Sequence, residues 1–225
     1  MKRINVILAF ALMGSIFAFA QNTTVELENF TELKAYDQIN VTLIKSNENK
    51  AIVSGDDQDD VKLEIEDGRL KIKMEVDNFM DGNETNITLY HSEILSLIDA
   101  NEGAEIKSDE TINSKYLVLR AQEGAELHLT VNSNNLETKA VSGGKIMVSG
   151  NAPNQNITVR SGGEYHAKEL KSEQTDVTIL AGGKAYINVS EFVDANVTAG
   201  GTIEILGNPQ KVKEDNTLGG SIIIR

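Results

Sequence analysis

A pair of small residues, Gly-Gly or Gly-Ala, returns at nearly constant intervals through the second half of this 225-residue chain. The pairs begin at Gly103, Gly124, Gly143, Gly162, Gly182, Gly200 and Gly219, in steps of 21, 19, 19, 20, 18 and 19 residues. A period near 20 marks a solenoid, in which one coil cannot bury its own apolar face and needs neighbours above and below. Between the pairs lie short runs of β-branched residues at period two, such as Ile157-Thr158-Val159, Val177-Thr178-Ile179 and Ile203-Glu204-Ile205. That alternation argues strand. Helix is disfavoured because each Gly in a helix interior costs about 1 kcal/mol. Leucine-rich repeats share the period, but their Leu and Asn framework is absent. The pattern predicts an all-β right-handed parallel β-helix of about seven coils of 18–21 residues, stacked at about 4.8 Å per rung.

In such a stack the Gly pair is a corner. The chain bends there with φ > 0, which Gly adopts without a Cβ clash, and neighbouring backbones nest closely. A phosphate-cradling loop would need a strand–loop–helix context that is missing.

The first half reads differently. Residues 61–66 and 69–74 alternate on either side of Asp67-Gly68, the signature of a β-hairpin with a type I′ turn. Residues 39–44 and 51–54 suggest a second antiparallel pair, and Asp77 to Asn86 reads as a loop. Bare strand ends invite aggregation, so residues 21–90 are expected to be an antiparallel β cap. Residues 91–225 then form the coils, in one continuous unit with the cap.

Residues 1–20 have the layout of a secretory signal peptide: Lys2 and Arg3, an uncharged apolar stretch to Phe19, and the small-x-small pattern Ala18-Phe19-Ala20 before Gln21. Cleavage there predicts export to the periplasm, cell surface or medium, with no transmembrane segment left. No Cys follows the apolar run, so the lipoprotein route is closed. Net charge moves from −13 to −15 when Lys2 and Arg3 are removed. Such a surface repels a phosphate backbone, so nucleic acid is not an expected partner. With no Cys, disulfides and thiol chemistry play no part.

From this point the chain resembles a known family, the GIN domain, the head domain of autotransporter adhesins found mostly in Bacteroidetes. The resemblance spans residues 28–225. It rests on the opening from Phe30 through Ile39-x-Val41, on Val53-Ser54-Gly55-Asp56, on Gly68-x-Leu70-x-Ile72, and on Leu95-Ser96-Leu97-Ile98 leading into the Gly pairs. It implies a secreted or surface-exposed β-helical domain with an adhesive role. No C-terminal segment is long enough for a membrane-inserting barrel, so self-transport is not implied.

Aligning the coils on their Gly pairs turns sequence columns into ladders. The position after each pair reads Glu105, Glu126, Lys145, Glu164, Lys184, Thr202 and Ser221, where opposite charges on adjacent rungs form weak surface pairs. Two residues further on, the column reads Lys107, His128, Met147, His166, Tyr186, Glu204 and Ile223. It should face outward. His128, Met147, His166 and Tyr186 are therefore the candidate ligand-binding strip, with rings able to stack on sugar faces; a packing ladder without ligand is the plainer alternative. As a metal site it is poor, because His128 and His166 stand two rungs apart, about 9.6 Å, against coordination distances near 2.1 Å. No catalytic residue, metal site or cofactor is expected.

Arg120, Lys139 and Arg160 end three successive strands and are expected to form a cationic ladder. Such a ladder beside a carboxylate cluster would suit a polysaccharide lyase, the enzymatic alternative. Asp56-Asp57-Gln58-Asp59-Asp60 is acidic enough to attract Ca²⁺ but lacks the Gly and Glu that complete an EF-hand loop, so a solvated turn is expected. The sequence thus points to a non-enzymatic binding or adhesion module for glycans or surface proteins. A third reading is a structural envelope protein whose solenoid oligomerises.

Overall fold

The computed structural model describes residues 22–75 and 85–225. The expected signal peptide and most of the loop expected over Asp77–Asn86 lie outside the described residues, while Asn86 itself opens a strand. In chain order the strands are β1 (Thr23–Glu26), β2 (Glu32–Ala35), β3 (Asn40–Lys45), β4 (Lys50–Ser54), β5 (Val61–Glu66), β6 (Arg69–Met74), β7 (Asn86–His91) and β8 (Leu97–Ala100). The coils continue as β9 (Glu105–Gln122), β10 (Glu126–Val141), β11 (Lys145–Asn151), β12 (Asn154–Arg160), β13 (Glu164–Leu180), β14 (Lys184–Thr198), β15 (Thr202–Leu206), β16 (Lys211–Thr217) and β17 (Ser221–Ile224). A 3₁₀ turn at Gln58–Asp60 takes up the acidic run, and no α-helix occurs among the described residues.

Two parallel ladders run the length of the solenoid. One stacks β7, β3, the front of β9, the front of β10, β11, the front of β13, the front of β14, β15 and β17. The other stacks β6, β2, β8, the back halves of β9 and β10, β12, the back halves of β13 and β14, and β16. Period-two alternation sends every second side chain inward, so like positions form apolar columns. Leu70, Leu33, Ile98, Leu119, Thr138, Ile157, Val177 and Ala195 make one such column, all of them buried. On the other ladder Val41, Ile106, Leu127, Ile146, Tyr165, Ala185 and Ile203 follow one another, with the largest side chain, Tyr165, next to the smallest, Ala185. Each fully buried Leu or Ile contributes about 1.5–3 kcal/mol.

At the corners 141–144 and 160–163 the two glycines of the pair do different work. At 141–144, Ser142 has φ 52° and Gly143 φ 77°, and the Gly144 N–H donates to the Val141 carbonyl at 2.9 Å, which defines a type I′ turn. A Cβ on Gly143 would meet nothing within 4 Å, so Gly is needed there for φ alone. A Cβ on Gly144 would lie 2.1 Å from the Ala121 carbonyl oxygen, so there Gly is needed for space. The residue before each pair also sits at positive φ although it is never Gly: Glu102, Glu123, Ser142, Ser161, Ala181, Ala199 and Leu218. Hydrogen bonds between stacked corners offset that strain, such as Glu123 N–H to the Val141 carbonyl at 3.3 Å and Gly200 N–H to the Gly219 carbonyl at 2.8 Å.

At the N-terminal end, β5 and β6 form the expected hairpin, with Asp67 at φ 51° and Gly68 at φ 73°. The antiparallel pair expected between residues 39–44 and 51–54 does not form. β3 instead pairs in parallel with β7 and β9, and β4 runs antiparallel to β7 and β1. Val41 and Leu43 gain columns of their own kind against Ile87 and Leu89, which local pairing with β4 would not supply. The chain lays β6 and β7 on the outer side of β2 and β3, then returns through β8 and β9 on the inner side. The antiparallel strands β4 and β5 cover the edges of β7 and β6.

Candidate functional site

The register places Lys107, His128, Met147, His166, Tyr186, Glu204 and Ile223 on successive rungs of one outward column. Within it the His166 and Tyr186 rings stack, with centroids 5.0 Å apart and planes 27° apart. Met147 stands on the rung between His128 and His166. The column beside it carries the carboxylates: His128 Nε2 lies 3.0 Å from Glu126 Oε2, and His166 Nε2 lies 2.8 Å from Glu164 Oε2.

Those carboxylates are also held across rungs, as the charge column predicts. Lys184 Nζ donates to Glu164 Oε1 at 3.0 Å, and Lys145 Nζ lies 3.7 Å from Glu126. The hydrogen bonds from His166 and then Lys184 hold the Glu164 carboxyl below the usual carboxylate range. Lys168 reaches over the Tyr186 ring, 4.5 Å from its centroid, and bonds Glu204 at 3.3 Å. Tyr186 therefore has one face on an imidazole and a cation close by, a pattern that fixes the ring's orientation.

The column does not stand on a flat face. Past His128, β10 and β11 take the next bend with fewer residues than the coils on either side. Between Lys107 and Thr111, β9 holds two residues more than β10 holds between His128 and Thr130. Between His166 and Leu170, β13 holds one residue more than β11 holds between Met147 and Gly150. The extra residues bulge outward. The exposed Lys168 and Glu169 wall one side of a groove of about 500 Å³, and His128, Met147 and His166 form its floor. Ser108, buried at the foot of the other bulge with its hydroxyl donating to the Leu43 carbonyl at 3.2 Å, bounds the opposite side. Thr130 and Ser149 close its inner end with a hydroxyl pair at 3.0 Å. The four strip residues thus come together on one column, and three of them line the groove; Tyr186 adjoins it through His166.

The wall residues escaped the sequence reading, although a signal for them was present. The Gly-pair steps of 21 and 20 residues, against 19 for the coils between, mark the two coils that carry the extra residues.

The expected cationic ladder is broken. Arg120 and Lys139 are partners, but Lys139 faces Thr158 on the next rung, while Arg160 pairs with Val141, two positions along. Arg160 lies two residues before its Gly pair and the others four before theirs, a difference that moves it to another column. The basic ladder on which the lyase reading rested is therefore not assembled. Arg120 instead has the buried Asp99 as its partner position, and Asp99 pairs with Lys34 at 3.1 Å. Among the described residues no three His, Asp or Glu side chains group closely enough to hold a metal ion.

Comparison with known proteins gives the same architecture. The family described as "Putative auto-transporter adhesin, head GIN domain" matches residues 29–209. A "putative adhesin" from Bacteroides fragilis has a similar structure, with a TM-score of 0.81 at 16% identity, covering 91% of this chain and 96% of that one. A "putative lipid binding protein" from Parabacteroides distasonis follows at TM-score 0.70 and 16% identity, covering 91% and 96%. A "putative adhesin" from Parabacteroides merdae has TM-score 0.65 at 16% identity, covering 91% and 95%. At that identity the likeness is one of fold. No curated protein matches the sequence.

Proposed function

Because the chain belongs to the GIN-domain family of auto-transporter adhesin heads, we propose that it is a non-enzymatic adhesion module of the cell envelope that holds a surface glycan in the His128–Met147–His166 groove. The observation that carries this reading is the stacked His166–Tyr186 pair at the rim of a walled groove of about 500 Å³. That volume lies in the range of ligand sites, about 300–1,000 Å³. Sugar rings present flat C–H faces and a fringe of hydroxyls. The imidazole and phenol rings and the Met147 thioether suit the faces; Glu126, Glu164, Thr130 and Ser149 suit the fringe. Export through cleavage after Ala20 belongs to the same proposal, and mass spectrometry of the exported protein should give Gln21 as its first residue.

The test is the triple change His128→Ser, His166→Ser and Tyr186→Ser, read on a glycan array. Binding should be lost. Outward changes usually stay within about 0.5 kcal/mol each, and the lost ring stack adds about 0.5–1.5 kcal/mol, so the fold should survive. Undiminished binding by the folded triple variant would retire the groove. Binding to a surface protein but to no glycan would redirect the proposal to the other partner class.

A further inference from the structure

A second outward column lies on the other ladder, away from the groove. From β9 to β16 it reads Tyr116, Asn135, Asn154, Gln174, Phe192 and Lys211 on successive rungs. The next outward column beside it reads Glu137, Asn156, Asp176 and Asp194. Two hollows of about 200 and 230 Å³ lie over these columns and share Asn154 and Gln155, so they run on from one another. Tyr116 borders the first and Phe192 the second. Four rungs separate the two rings, about 19 Å.

Stacked amides on a solenoid often serve only to bond one another, and the neighbouring column does so: Asn132 Nδ2 donates to Asn113 Oδ1 at 3.1 Å. This column is different. Asn154 turns its amide to the Asn134 backbone carbonyl at 3.1 Å. Among the described residues the side-chain amides of Asn135, Gln174 and Asn156 make no hydrogen bond at all, and Asp176 makes no ion pair. Tyr116 is 50% exposed yet fixed, its hydroxyl donating to Glu137 Oε2 at 2.6 Å. Unspent planar amides, each with a donor and an acceptor edge, match the paired hydroxyls of a sugar chain. Carboxylates accept from hydroxyl pairs, Tyr116 offers a ring face to the first unit, and Phe192, which carries Lys211 Nζ over one face at 5.7 Å from its centroid, has the other for the last. Glu137 and Asp176, on a chain of net charge −13, repel uronates and sulfated sugars, while Asp194 is held by Lys213 at 2.7 Å.

We infer that this column is a second binding site, which holds a neutral, linear oligosaccharide lengthwise between Tyr116 and Phe192. It does not rest on the groove, and the two can fail separately.

Calorimetric titration of the mature protein with neutral cello-, manno- and chito-oligosaccharides of two to six units, beside oligogalacturonates, tests it. Affinity should rise with length up to about the four-rung span, and the uronates should bind at least tenfold more weakly. The double change Tyr116→Ala and Phe192→Ala should weaken the neutral ligand at least tenfold, while the triple serine variant of the groove keeps it. Asn135→Ala with Gln174→Ala removes no internal hydrogen bond, so it supplies a folded variant that should also lose affinity. The inference is overturned if no neutral oligosaccharide binds, if both double variants bind like the parent, or if only the groove variant loses the ligand.

Discussion

Replacing Gly143 or Gly144 by Ala adds the same methyl group to adjacent residues of one turn, and the corner geometry requires very different outcomes. At Gly143 the new Cβ meets nothing within 4 Å, so the cost is that of an L residue at φ 77°, about 1 kcal/mol. At Gly144 the new Cβ falls 2.1 Å from the Ala121 carbonyl oxygen and 2.3 Å from its carbon. Backbone cannot swing aside as a side-chain tip can. The rung must separate locally, straining the bond from Lys145 N–H to the Ala125 carbonyl at 2.9 Å. Overpacking costs about 1–3 kcal/mol, and a backbone contact this short, which no rotamer change relieves, belongs at the upper end, about 3 kcal/mol. In a domain of this size 1 kcal/mol moves Tm by about 2–4 °C. Calorimetry should therefore show a drop of about 2–4 °C for Gly143→Ala and about 6–12 °C for Gly144→Ala. Equal drops, or the larger one at Gly143, would refute the division of labour within the pair.

Two further outcomes follow from buried polar groups. His91 is buried at the end of β7, its Nδ1 3.0 Å from the Glu93 carbonyl and its Nε2 without a partner among the described residues. Burial chiefly, and the Lys45 cation, push its pKa below the ordinary value, against the Glu93 bond and Glu110. The unfolded chain then takes up a proton near pH 6.5 that the folded chain refuses, so stability is lost as pH falls through that value, by at most about 1.4 kcal/mol per unit. Urea midpoints at pH 7, 6 and 5 should fall for the parent and flatten for His91→Gln; parallel declines would contradict this. Tyr165, whose hydroxyl donates to Gln155 Oε1 at 2.6 Å inside the solenoid, should lose about 1–3 kcal/mol on change to Phe, because the Gln155 acceptor stays buried without its donor. An unchanged urea midpoint would show that water or relaxation satisfies Gln155.

The coils were legible because stacking makes sequence period and spatial period the same thing. Gly pairs set the corners, and columns counted from them met their partners from Lys107 to Ile223. Counting failed where a strand's length before its corner was misjudged, as at Arg160. The order at the N-terminal end was not legible, because β3 prefers the distant β7 and β9 to the adjacent β4, and local alternation carries no information on which column a strand will join. The positive φ of Glu102 and Glu123 was equally hidden, since those residues bear no turn signature and owe the conformation to corners stacked on them. In the groove the floor was readable from alternation. The walls were not, since Ser108, Lys168 and Glu169 stand out only by the extra residues of their coils.

The chain holds three histidines, and only two of them belong to the groove, which makes imidazole NMR the most direct test of its role. With histidine labelled by ¹⁵N and ¹³C, a glycan that the array identifies is titrated into the folded protein. The ring signals of His128 and His166 should shift together and saturate with the binding isotherm, while buried His91 stays still. Saturable binding with both groove imidazoles unmoved would contradict the account and place the glycan elsewhere on the solenoid.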